Sequence, residues 1–390
     1  MPSTVGARTG LLRDRRAGRA VPVTNMELFF DLVYVFAFTQ LSELLYLRLS
    51  WLGAAETAVI FVALWYAWTY TAWATGWLDP ERLPVVALLA VLMVASLVMA
   101  ASILDSFAQR GEAFAIAYVV MQLLRGGVMA WAFGPRDPMG RNYLRLLGSS
   151  ALSGVVWIVG GVLHGLHTRL LVWACAAAAV DLLAPALGFR LPGAGSRRMS
   201  DWSVAGGHLA ERCRLLLMIA FGESVLRIGE AWTHRDGSFG ADCAFVVGFG
   251  WILCLWSIYF LHHAEPGART IEQAGEDAAH LARSAFMYAH AAMIAGVLVV
   301  AVAIHMGVEA PSEAADAGFA AISVGGPALF LLGLAMSKRW LRHGRHQWPL
   351  LGVVALAAAG FAAARGSRLV ELVVVTAVSA ALAVWAQLAD

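Results

Sequence analysis

The chain has 390 residues, 60% of them hydrophobic and only 14% charged, with a formal net charge of +2. A soluble globular domain lies nearer half apolar and a quarter charged, so the balance excludes that class and points to a polytopic membrane protein. So small a net charge leaves no electrostatic footprint for nucleic acid, and no basic-aromatic binding pattern occurs.

Residues 1–24 open with the basic stretch MPSTVGARTGLLRDRRAGRA. No short apolar region with a small-residue cleavage site follows it, so it reads as a retained cytoplasmic tail. A helix needs roughly 20 apolar residues to cross a hydrocarbon core of about 30 Å. That window predicts twelve spans, near 25–47, 53–76, 83–104, 112–133, 143–163, 169–188, 208–229, 240–262, 280–305, 317–337, 348–363 and 368–388. Loops holding Pro, Gly and charge separate them, such as DPERLP and GPRDPMGRN. None is long or polar enough for a soluble domain. The expected fold is therefore all-α, a single multipass membrane domain over residues 25–390.

With the N-terminus inside and all twelve spans present, the inside segments hold seventeen Lys and Arg and the outside loops six. That asymmetry predicts an N-in, C-in orientation. Five further arginines (Arg125, Arg212, Arg214, Arg227 and Arg283) fall in or at the ends of spans. Trp51, Trp77, Trp131, Trp232, Trp340 and Trp348 lie near span ends, where an amphipathic ring is favoured. In span two, Tyr66, Tyr70, Trp73 and Trp77 follow one another at i, i+4, i+7 and i+11, an aromatic stripe. It serves helix packing, or it offers a surface to a cation or a ring-bearing solute. The four cysteines, Cys175, Cys213, Cys243 and Cys254, lack CxxC spacing, so neither a disulfide framework nor a metal site is expected.

An ionisable group at mid-membrane costs from about 2.5 to more than about 10 kcal/mol, so such groups face a bundle interior or water and have partners. The candidates are Glu27, Asp31 and Glu43 in span one, Arg125 in span four, Asp181 in span six, His208, Glu211, Arg212, Glu223 and Arg227 in span seven, and Arg283 and His290 in span nine. Gln40 adds a polar group to span one. Thr24 and Glu27 have the Thr-x-x-Glu spacing of a capping box, so Glu27 closes the helix start. Asp31 lies a turn further in, at a depth where Arg125, Glu211 and Arg283 are its expected partners. Most of these groups fall in the cytoplasmic half, which suggests a shared polar cavity open to that side; the competing reading is a set of ion pairs locking helices together. Glu223 is open to two readings, local neutralisation by Arg227 at i+4 or proton uptake by a carboxylate beside the small Gly222. AFTQLS (Ala37–Ser42) can be laid on AFGESV (Ala220–Val225), which suggests a 6+6 repeat with halves 25–188 and 208–390.

NMELFFDLVYVFAFTQLSELL, WYAWTYTAWATGWLDPER, DWSVAGGHLAERCRLLLMIAFGESVL and RSAFMYAHAAMIAGV together resemble the bacterial low temperature requirement protein A (LtrA) family. The likeness runs from Val23 through span nine. Its pattern falls on Glu27, Phe30 and Asp31, on His208, Glu211 and Arg212, on Gly222, Glu223 and Ser224, and on Arg283, Tyr288 and His290. Phe221 departs from it, standing where a Leu is usual. The resemblance implies a multipass protein of a bacterial cytoplasmic membrane and leaves the activity open. A secondary transporter of a small solute, with Glu223 as proton-coupling carboxylate and Arg125 and Arg283 as counter-charge or anion holders, is the leading expectation. A channel lined by span one near Phe30 and Asp31 is the alternative. A lipid-directed enzyme using His208, Glu211, His290 and Asp31 ranks below both, for no HExxH, nucleophile elbow or phosphate loop supports it. No catalytic residue and no cofactor is expected; the partners are the lipid bilayer and an unidentified small solute or ion. Reporter fusions at the two termini should both read as cytoplasmic; a periplasmic signal at either end would break the orientation argument.

Overall fold

The computed structural model describes residues 10–13, 22–177, 206–234, 237–261, 281–341, 347–363 and 365–389, without the side chains of Ala282, Arg283 and Ala389. Among these residues the architecture is all-helical. The elements are α1 (Asn25–Leu47), α2 (Trp51–Thr75), α3 (Leu83–Ser102), α4 (Gly111–Phe133), α5 (Pro138–Val162), α6 (Leu166–Ala176), α7 (Gly206–Thr233), α8 (Phe239–Phe260), α9 (Ala289–Glu309), α10 (Ala317–Leu341), α11 (Gln347–Ala363) and α12 (Arg368–Ala389). A π-helical stretch, Ala282–Tyr288, leads into α9.

Nine of these helices are long and apolar enough to cross a membrane, namely α1 to α5, α8, α9 with part of its π-helical lead, α10 and α12. The other three predicted spans do not meet that measure among the described residues. α6 is described for 11 residues. α11 has 17. α7 carries Glu211, Arg212, Arg214, Glu223, Arg227 and Glu230, too much charge for an apolar window.

Local chemistry sets several helix starts. Asp137 accepts the Met139 N–H at 2.8 Å with Pro138 in the first turn of α5. Ser238 accepts from the Ala241 N–H at 3.2 Å at the start of α8, and Asp316 from the Phe319 N–H at 2.7 Å at that of α10. The α2 helix stops at Thr75, so the aromatic stripe loses its last member: Trp77 lies in the turn that follows. Trp51, Trp131, Trp232 and Trp340 are exposed, as interfacial anchors would be, but Trp348 is buried under the Lys338 ammonium, 5.5 Å from its ring.

Contacts divide the chain into two compact units. One comprises residues up to Leu44 and Trp51–Arg212; the other comprises Leu45–Ser50 and the described residues from Cys213 onward. In the first unit α4 packs along α5 and against α3, and Arg169 ties the loops. Arg169 is buried, and its five N–H groups reach five backbone carbonyls: Ser106 and Ala108 after α3, Gly160 and Gly161 at the end of α5, and Leu163 beyond it. A guanidinium is suited to such a place because a helix C-terminus leaves carbonyls without partners.

In the second unit α9 and α10 cross through glycines. A Cβ on Gly296 would sit 2.6 Å from both the Gly326 carbonyl oxygen and the Phe330 nitrogen, and one on Gly333 would sit 2.6 Å from the Ala289 carbonyl oxygen. Small residues let helix backbones meet where lipid provides no hydrophobic drive. Because the clash is with backbone, Gly296→Ala should lower stability by about 1–3 kcal/mol, read as an earlier thermal transition in detergent. An unchanged transition would mean that the two helices do not touch there.

Candidate functional site

Glu27 and Asp31 stand one turn apart on α1, and His208 and Arg212 stand one turn apart on α7. Residues at i and i+4 share a helix face. The two faces meet in register: His208 Nε2 is 2.8 Å from Glu27 Oε1, and Arg212 Nε donates to Asp31 Oδ2 at 3.0 Å. Both contacts span 181 residues, so these stretches run in the same direction.

Arg212 uses its whole fork. Nη2 donates to Asp31 Oδ1 at 2.6 Å, completing a bidentate pair, and Nη1 donates to Glu27 Oε1 at 3.1 Å and to Thr75 Oγ1 at 3.2 Å. The guanidinium carbon lies 5.7 Å from the Trp68 ring centre, and the Trp68 Nε1–H donates to Asp31 Oδ1 at 2.7 Å. Arg212, Glu27 and Asp31 are each 0% exposed, which makes this a closed cluster. Glu27 is a cap and more than a cap. Its Oε2 accepts from the Thr24 N–H at 2.9 Å and the Thr24 hydroxyl at 3.0 Å, while the Arg13 Nη2 adds an ion pair at 2.7 Å. Arg13 also bonds the carbonyls of Leu78 and Pro22, and its own N–H reaches the Trp77 carbonyl at 2.8 Å.

Charge bookkeeping within the cluster is informative. Two carboxylates face two guanidiniums, so the cluster is neutral while His208 is neutral. A carboxylate oxygen only accepts, so the His208 Nε2 carries the hydrogen of its contact with Glu27. Protonating the imidazole at Nδ1 would place one uncompensated charge in a buried site.

Arg212, which was not among the partners expected for Asp31 (Arg125, Glu211 and Arg283), is the residue that holds it. Arg125 is buried in the same unit one turn away along α2, where Nη1 donates to the Ala67 carbonyl at 3.0 Å and to Thr71 Oγ1 at 3.1 Å. Glu211 is only partly buried, and Gln40 is partly exposed further along α1. Asp181 lies outside the described residues, as does the side chain of Arg283. Tyr66 and Tyr70 are buried with ring centres 5.5 Å apart, and Trp73 is half-buried.

In the second unit Glu223 is 3.5 Å from Arg227, which also reaches Glu230 at 3.1 Å, so the local i, i+4 pair forms. Gly222 is exposed, and among the described residues an added Cβ there would meet nothing within 4 Å. Phe221 points inward instead, edge-on to Phe260 and Phe330 at 6.3 Å. His290 is buried, with Nδ1 3.0 Å from the Ala285 carbonyl, which makes Nδ1 the donor and Nε2 the acceptor of the Tyr259 hydroxyl at 2.8 Å. Tyr288 beside it is half-buried. Buried Glu371, hydrogen-bonded to Ser323, escaped the sequence reading because it begins a span next to Arg365 and Arg368.

Sequence reasoning also missed Arg13, Trp68 and Thr75. Trp68 and Thr75, seven residues apart, share a face of α2, a signal overshadowed by the aromatic stripe. Arg13 had none, being one arginine among several in a basic tail. Among the described residues, no group of three His, Cys, Asp or Glu is placed to hold a metal ion. Removing one member of a buried ion pair strands the other, so Arg212→Met should cost about 3–5 kcal/mol. Asp31→Asn should cost less, since its amide still accepts from Trp68. Equal thermal shifts for the two variants would contradict this ordering.

Comparison with known proteins places these residues in a family context. The family model described as "Bacterial low temperature requirement A protein (LtrA)" matches residues 22–386. "Uncharacterized protein RA0937" of Rhizobium meliloti (strain 1021) is 34% identical over 323 residues, which is 80% of this chain and 76% of that protein. No solved structure matches.

Proposed function

The chain belongs to the bacterial low temperature requirement A family, and from that premise we propose that it is a secondary transporter of a small solute, coupled to protons, in the bacterial cytoplasmic membrane. The observation that carries the reading is the buried, charge-balanced cluster of Glu27, Asp31, Arg13 and Arg212 around one titratable imidazole, His208. Intramembrane ionisable groups are costly, and a purely static lock could be made from apolar residues at no loss of stability. A lock whose balance one proton upsets is suited to a cycle that must open and close. Of the side chains in the cluster, only an imidazole has an unperturbed titration near neutral pH, where a coupling proton is exchanged.

On this reading the cluster is a gate in its closed state. Proton arrival at His208 adds a positive charge beside Arg212 and competes with it for Glu27, which loosens α7 from α1. The pairing of Glu223 with Arg227 makes Glu223 the weaker choice for the coupling group. The N-in, C-in arrangement of twelve spans is kept as part of the proposal, since the loop arginines favour it. A continuous pore would leave the channel alternative standing, but Glu27, Asp31 and Arg212 fill the cytoplasmic end of α1 with mutual contacts.

Proteoliposomes enclosing a pH-sensitive dye provide the test. Adding amino acids, organic acids or polyamines in turn should reveal a class that acidifies the lumen in the wild type. His208→Gln keeps a hydrogen-bond donor to Glu27 and removes the titration, so it should keep the thermal transition and lose the acidification. A coupled flux that persists in His208→Gln would end the role assigned to the imidazole. Solute-independent conductance in a planar bilayer would replace the transporter by a channel.

A further inference from the structure

Two buried arginines of the first unit lack a carboxylate partner among the described residues, and they solve the problem differently. Arg169 places all five N–H groups on backbone carbonyls. Arg125 does not. Its Nη1 donates to the Ala67 carbonyl and Thr71 Oγ1, and its Nη2 to Gln122 Oε1. A guanidinium has five N–H groups, so the Nε–H and one Nη2–H remain without a protein acceptor among the described residues. The Nε and Nη2 of a guanidinium form an edge that binds planar carboxylates in a bidentate manner.

The surroundings are aromatic rather than acidic. The guanidinium carbon is 5.3 Å from the Tyr70 ring centre. Tyr118, Tyr70, Tyr34 and Tyr143 are the ionisable side chains that act on it most strongly. Tyr34 lies near Arg125, Asp31 and Arg212 alike, which puts this site beside the closed cluster. The two guanidiniums even take successive turns of α2, Arg125 on Thr71 and Arg212 on Thr75. Among the described residues only Arg212 has carboxylates to neutralise it. A cation 3% exposed with no counter-ion among those residues is unfavourable in a membrane-spanning bundle. A mobile anion would neutralise it.

We propose that Arg125 is the binding site for a small organic monocarboxylate, held by the Nε/Nη2 edge of the guanidinium with its apolar body against Tyr70 and Tyr118. The carboxylate supplies two acceptors to the two unused N–H groups, and the rings accept a flat or aliphatic body that an inorganic anion lacks. That the bound anion is also the transported solute rests on the transport reading above; the binding itself does not. One turn from the Asp31–Arg212 pair, an occupied site is placed to sense or bias the gate.

The test is calorimetric titration of the purified full-length protein in detergent with benzoate, with acetate and chloride alongside. Benzoate should bind the wild type at about millimolar affinity or better. Arg125→Lys, which keeps the charge and loses the fork, should bind roughly tenfold or more weakly. No benzoate binding by the wild type overturns the site, whatever the variant does. Equal affinity in Arg125→Lys overturns the role of the fork, and chloride binding as tight as benzoate overturns the carboxylate class. Flux separates the two readings: benzoate that binds but does not cross proteoliposomes defeats the cargo assignment alone, whereas proton-coupled flux of another solute without benzoate binding defeats this site alone.

Discussion

A guanidinium sealed away from water between two carboxylates sets the terms for the first unit of this protein. Arg212 cannot lose its charge in a protein, and in low dielectric neither it nor Asp31 can be left alone. Their pairing requires the start of α7 to lie alongside the start of α1, in the same direction, with α2 presenting Trp68 and Thr75 to the same point. Arg13 then brings the segment before α1 onto the turn after α2, where Asp79 and Leu11 and Arg13 and Trp77 are joined by backbone hydrogen bonds. One charge pair thus organises four stretches of chain that are far apart in sequence.

Specificity in such a cluster comes from geometry more than from energy. A buried ion pair offsets its desolvation only when every lone pair and proton finds a partner. Here the Arg212 fork, the Trp68 indole and the Thr24 cap divide the carboxylate oxygens of Glu27 and Asp31 among them. The same accounting separates Arg169 from Arg125. Arg169 is fully committed to carbonyls and holds connections in place, whereas Arg125 has acceptors for only some of its donors among the described residues.

The second unit is built on another constraint, close backbone approach. Gly296, Gly326 and Gly333 let α9 and α10 touch. Its polar groups are paired in smaller sets: Glu223 with Arg227 on one helix, His290 with the carbonyl of Ala285 five residues before it and with Tyr259 of α8, Glu371 with Ser323. The π-helical stretch before α9 ends where His290 takes that carbonyl, which is where such distortions tend to gather polar contacts.

The sequence by itself determined the helical class, because runs of about 20 apolar residues permit little else in lipid. It determined the family, through motifs local enough to survive as strings of residues, and it picked out Asp31, His208 and Arg212 because charge inside an apolar window stands out. It showed the Thr24–Glu27 cap for the same reason, four residues being enough to define it. It could not say which charge meets which. Depth along a helix follows from counting residues, but azimuth and the choice of neighbouring helix follow from packing. Depth alone offers Asp31 the partners Arg125, Glu211 and Arg283, whereas the register of α7 on α1 gives it Arg212. Arg13, Trp68 and Arg169 were invisible as site or structural residues because nothing in their own neighbourhoods differs from an ordinary tail, aromatic helix or loop. Their roles exist only where distant backbone carbonyls and carboxylates converge, and that convergence is a property of the tertiary structure.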